Sequence, residues 1–212
     1  MNVLEQDLRE VAADSVRMLS MTREAVERAK HALIDADVEM AQRCIDADAA
    51  IDALQLQLEQ RILTIIARRQ PAARDLRFLG STFQSLTDIE RAGDYAAHVA
   101  RAGRELAQRP PVKKYIDMAR ILSILDAMLE TTIRAVSDED AEAARQALAM
   151  DDEIDALYEQ IQRELLTYMM ADPSTITPAT KLLAVARYLE RCGDHIENVN
   201  EHVLFWLTGS RP

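Results

Sequence analysis

The sequence predicts an all-α protein made of two tandem three-helix bundles, six long helices related by internal duplication. Three observations lead there. The 212 residues hold only 5 glycines and 6 prolines, too few for an all-β fold, which turns every ~8–12 residues. Apolar residues recur at steps of three and four over stretches of about 25–35 residues, which marks long amphipathic helices. Motifs of the first half also return, in order, in the second.

The elements follow in turn. A stripe from Leu4 through Val11, Met18 and Ala25 to Ala32 predicts a helix over residues 2–34. Asp35-Ala36-Asp37 then supplies an acidic turn and N-cap. A second stripe runs from Cys44 through Ile51 and Leu58 to Ile65 and stops at Pro71, whose ring disfavours helix just before it. A third helix is expected over 72–108, closed by Pro110-Pro111. The fourth is expected over 116–136, ahead of a capped turn at Ser137–Asp140, and the fifth over 140–170. Asp172-Pro173 and Thr177-Pro178 break the chain before a sixth helix that ends near Gly209.

The duplication is specific. Ile51-Asp52-Ala53-Leu54 returns 103 residues later as Ile154-Asp155-Ala156-Leu157, and Asp48 returns as Asp151. Glu90-Arg91-Ala92-Gly93-Asp94 returns 100 residues later as Glu190-Arg191-Cys192-Gly193-Asp194. The difference falls in the loops around Pro71 and Pro173–Pro178, where length changes are tolerated. The repeats are therefore expected at residues 1–109 and 110–212.

Composition narrows the function. A net charge of -11 argues against nucleic-acid binding, which needs a basic face, and against adhesion to anionic lipid. It suits metal cations or a basic protein surface. No run of about 18 apolar residues is present to span a membrane, and the first residues do not read as a signal peptide. Cys44 and Cys192 form no Cys-x-x-Cys pair, so a reducing, cytoplasmic setting is expected.

The residues that carry chemistry are acidic. Carboxylates four apart share one helix face and repel unless a cation or basic side chain lies between them. Glu90 with Asp94 and Glu190 with Asp194 form such rows. His98 extends the first and Asn198, Glu197 and Glu201 the second, while Asp48 with Asp52 and Asp151 with Asp155 form shorter rows. A wheel count puts Glu190 and Asp194 away from the apolar stripe, so the carboxylates are expected to be reachable by solvent. Oxygen donors of this kind suit Mg²⁺, Mn²⁺ or iron. The competing reading is an ordinary solvated acidic face. Gly93 and Gly193 sit inside strong helical patterns, where glycine costs about 1 kcal/mol against alanine; close helix approach or room beside a ligand would explain both. The Glu-x-x-His and His-Glu-x-x-His signatures, phosphate loops and nucleophile motifs are all missing. His195 and His202 read as surface histidines, and Phe205-Trp206 as either a contact patch or a cap on the bundle end.

The chain resembles the PhoU family. The matching residues are Ile66-Ala67-Arg68-Arg69-Gln70-Pro71, Ala73, Asp75-Leu76-Arg77 and Ile89–Asp94 in the first half, and Tyr188–Asn198 with Leu207-Thr208-Gly209 in the second. The resemblance implies two similar three-helix bundles and multinuclear binding of iron, Mn, Zn or Mg. Carried over by position, the metal ligands would be Asp48, Asp52, Glu90, Asp94, Asp151, Asp155, Glu190, Asp194 and Asn198. It further implies a non-enzymatic negative regulator of phosphate uptake and Pho regulon signalling. Such a regulator contacts the ATPase of the phosphate ABC transporter and a sensor histidine kinase, and meets the membrane only through those partners; long amphipathic bundles make a homodimer the expected state. Two departures stand out: His98 occupies a position where Asp or Asn is more typical, and the Gln-Pro-x-Ala-x-Asp-Leu-Arg element with Asp75 and Arg77 has no copy in the second half. The alternatives are a carboxylate-bridged metalloenzyme and a purely structural helical bundle.

Overall fold

The structure, a computed structural model, describes residues 3–108 and 110–210. It is all-α. The helices are α1 (Val3–Ile34), α2 (Val38–Arg69), α3 (Ala73–Leu106), α4 (Ile116–Ser137), α5 (Ala141–Leu148), α6 (Asp151–Ala171) and α7 (Ile176–Thr208), with a 3-10 turn at Pro173–Thr175. Local chemistry sets the boundaries. Asp37 caps α2 by accepting from the amides of Glu39 and Met40. Asp140 caps α5 in the same way through Glu142 and Ala143. Gly209, at φ 77°, closes α7 in the left-handed conformation.

The expected fifth helix differs from the observed one. It is interrupted at Ala149-Met150, where the Met150 amide bonds back to the Ala147 carbonyl in a tight turn. The faces on either side explain the break. α5 buries only Ala143, Ala144 and Ala147 and lies close on α4 and α7, whereas α6 buries Ile154, Leu157, Ile161 and Leu165. The small alanine face and the larger aliphatic face call for different depths of approach to the neighbouring helices. No proline or glycine marks this joint, so the apolar pattern alone reads through it.

Each repeat is an up-down-up bundle: α1, α2 and α3, then α4, α5–α6 and α7. The two share one continuous core. α3 and α7 run antiparallel along the centre, as shown by Phe78 on Trp206 at one end and Glu105 paired with Lys181 at the other. Cys192 donates its thiol to the Ala92 carbonyl near the midpoint, at 3.5 Å. α1 and α4 flank this seam, joined by Arg23 to Asp126 at 2.6 Å. Trp206 is buried against Phe78 at 4.7 Å, so it caps the bundle end and is not a contact patch. Among the described residues, no helix is long and apolar enough to cross a membrane.

Candidate metal centre at two carboxylate clusters

Antiparallel packing within each repeat brings the acidic rows together. α2 carries Asp48 and Asp52 to Glu90 and Asp94 on α3, and α6 carries Asp151 and Asp155 to Glu190 and Asp194 on α7. Eight of the nine expected ligands thus fall into two clusters. Asn198 does not join them: its amide donates to Asp88 on α3 at 3.1 Å.

The clusters are more enclosed than a solvent-facing row. Asp151 is buried at 7% exposure, and the side chains of Glu190 and Asp48 are each 16% exposed. The wheel count misses this because α6 lies over the flank of α7 and covers carboxylates that an isolated helix would show to water. Desolvation leads the upward shift of the Asp48, Glu90, Asp155, Glu190 and Glu197 carboxyls, with neighbouring carboxylates adding to it. Asp151 is pushed up to about 7 by burial first and then by Glu197, Asp155, Asp194 and Glu190.

The glycines are explained by what lies beside them. A Cβ at Gly193 would stand 2.5 Å from Oδ1 of Asp151 and 3.1 Å from Cδ1 of Ile154. At Gly93 it would stand 3.0 Å from Cδ1 of Ile51, with no carboxylate nearby. Both glycines therefore admit the packed isoleucine, and Gly193 also cradles a carboxylate.

Basic residues offset part of the charge. Arg91 lies 3.7 Å from Glu90 and 3.6 Å from Asp94. Its counterpart Arg191 lies 3.6 Å from Glu190 and 3.1 Å from Asp194. Arg187, which has Thr87 as its counterpart, also acts on Glu190, yet the second cluster keeps buried oxygens without hydrogen bonds. Oδ1 of Asp151 and Oε2 of Glu190 are buried with no hydrogen-bond partner, although buried polar atoms are nearly always paired. Ligand oxygens of Asp151, Asp155 and Asp194 converge within 4.8 Å of one another, a spacing that one oxygen-coordinated divalent cation can bridge. The donor set fits the metal that the family resemblance implies.

Sequence reasoning passed over a third group. Asp88 binds Nδ1 of His195 at 2.8 Å and lies 3.6 Å from Nε2 of His202. Burial alone would raise its carboxyl, but the contacts from His195, His202 and Asn198 outweigh it and hold it well below the usual range. The three partners are spaced at steps of three and four, which was the available signal. These histidines join the two repeats and are not free surface groups. Tyr95 stacks on His195, and His98 stacks on Tyr188 at 5.1 Å. At the Trp206 end, Asp75 lines a cavity of about 630 Å³ with Phe78 and Trp206. Nε of Arg77 is buried there without a partner, and its guanidinium rests near Gly209.

With this geometry set out, the likeness to known proteins is informative. Residues 16–103 and 118–203 each match the PhoU domain. The chain is a member of the PhoU family. The two matches are the two halves of the duplication, so the PhoU domain is the repeated three-helix unit. A Deinococcus radiodurans protein named phosphate-specific transport system accessory protein PhoU homolog is 46% identical over 98% of both chains. The crystal structure of PhoU from Pseudomonas aeruginosa superposes with a TM-score of 0.93 at 34% identity, covering 97% of this chain and 99% of that one. The phosphate transport system regulatory protein PhoU from Streptococcus pneumoniae gives 0.90 at 27% identity, covering 99% of each.

Proposed function

We propose that this chain is an accessory protein of a phosphate-specific transport system, acting as a negative regulator of phosphate uptake and of Pho regulon signalling. The carrying observation is likeness over nearly the whole length, with both PhoU domains present, to relatives named for that system. In this reading it is a non-enzymatic adaptor between the transporter ATPase and a sensor histidine kinase, and it works in the cytoplasm as a homodimer with its repeat boundary at residues 109 and 110. Both thiols are pushed up to about 12, by burial above all, so neither is poised as a nucleophile. An adaptor biases a partner only if it binds the partner's two states with different affinity.

The carboxylate clusters are read as candidate cation sites that would hold the helices of a repeat together. In the second repeat Asp151, Asp155, Asp194 and Glu190 would hold a divalent ion that neutralises like charges across α6–α7; Asp48, Asp52, Glu90 and Asp94 are the matching carboxylates across α2–α3.

The regulatory reading is tested by deleting the gene and measuring phosphate-starvation transcripts in phosphate-rich medium. Derepression, reversed by the intact gene, is expected. Unchanged expression in a strain without a second copy of the family would overturn it.

A further inference from the structure

We infer that the two carboxylate clusters are not equivalent: the second repeat holds the divalent cation, and in the first repeat Arg101 takes the cation's place. The inference rests on the cation reading above and assigns Arg101 as the residue that decides which repeat is loaded.

Three independent observations carry it. The first is a swap of charge at equivalent positions. Arg101 on α3 corresponds to Glu201 on α7, and Ala97 corresponds to Glu197. Nη2 of Arg101 lies 3.4 Å from the Asp48 carboxylate, so a guanidinium reaches the first cluster from within the chain. In the second cluster the same register supplies Glu201, which adds to the field that raises Glu197. A tethered guanidinium and a divalent ion compete for the same carboxylate field, and the guanidinium is always present and always charged.

The second observation is the distribution of unsatisfied atoms. Among the described residues, the buried carboxylate oxygens with no hydrogen-bond partner are Oδ1 of Asp151 and Oε2 of Glu190, both in the second cluster, the latter 3.6 Å from Nε of Arg191. Asp151, 7% exposed, has its unpartnered Oδ1 beside Gly193, and its carboxylate belongs to the converging acidic group. The first cluster leaves none.

The third is geometric. Carboxylate oxygens of Asp151, Asp155 and Asp194 converge within 4.8 Å, and among the described residues Asp48, Asp52 and Asp94 form no such group. The chain break before Asp151 contributes. Asp151 opens α6, whereas Asp48 lies inside continuous α2. Asp151 can therefore turn in over Gly193, where no Cβ blocks it.

The test is Mn²⁺ binding to the metal-stripped full chain, read by titration calorimetry and by elemental analysis after desalting. Wild type should bind Mn²⁺. Asp194→Asn should abolish that binding, and Asp94→Asn should leave it unchanged. Arg101→Glu should add a second set of sites that Asp94→Asn then removes. Arg101→Ala, which removes the guanidinium without a new carboxylate, should add a weaker set. Arg101 is 40% exposed, and circular dichroism checks that each variant is folded. If wild type binds at both clusters, so that Asp94→Asn lowers the stoichiometry, the inference fails while the cation reading stands. If neither Arg101 variant gains Mn²⁺, the role given to Arg101 is overturned. If wild type and both variants bind none, the cation reading itself fails.

Discussion

At the residue scale, the paired glycines show how one substitution can have two outcomes. Gly193→Ala drives a methyl into the Asp151 carboxylate and Ile154, both already packed. We expect a loss of about 1–3 kcal/mol, read from urea unfolding. Gly93→Ala meets no carboxylate, and its one tight contact is the far methyl of Ile51 at 3.0 Å, which must give by only a few tenths of an ångström. There the gain of about 1 kcal/mol in helix propensity should leave stability close to wild type. Equal destabilisation by both would contradict this account. Asp151 makes a pH prediction. Its folded pKa of about 7 lies above the ordinary ~3.9, so the folded chain holds this proton more tightly than the unfolded one. The group costs nothing below pH ~4, and its cost grows as pH rises from there to about 7. Metal-free wild type should therefore lose stability over that window relative to Asp151→Asn, measured by urea midpoints at about pH 5 and about pH 7.5. A divalent ion should remove the loss, because it competes with the proton.

At the element scale, helix positions were legible because capping residues and prolines punctuate the sequence clearly. Asp37, Asp140, Pro71 and Gly209 stand at the observed boundaries. The break between α5 and α6 was not legible, since no proline, glycine or capping residue marks Ala149-Met150 and what changes there is the size of the buried side chains. Eight residues cannot sustain a helix in isolation, so α5 leans on its cap and its alanine face. Asp140→Ala should cost ~1 kcal/mol. It should also raise amide exchange selectively across 141–148, observable by mass spectrometry. Loss of protection spread over the whole chain would argue against a local role for the cap.

At the scale of the whole molecule, the repeat was readable as a motif recurrence, yet the way its copies meet was not. The rows of acidic residues could be written down from spacing alone. Their burial depended on which helix covers which flank, and that follows from the pairing of α2 with α3 and α6 with α7. The Asp88 group was hidden for the same reason: its members lie on different repeats and come together only because α3 and α7 run antiparallel. Asn198 was drawn by motif position toward the metal and is held instead by this seam.

That seam has a consequence for how the halves can diverge. If two separate copies of one repeat met along these helices, every residue would face the same partners on both sides, because a two-fold contact is self-complementary. Asp88 could then specialise only if its own copy's partner residues suited it as well. Tethering through the short segment after α3 removes that demand: each half always finds the other, at an effective concentration on the order of millimolar. Asp88 on one helix and Tyr188 at the matching place on the other are the visible result. Covalent linkage let the two surfaces become different sides of a single fit, and the same freedom allowed one carboxylate cluster to acquire an arginine without the other having to.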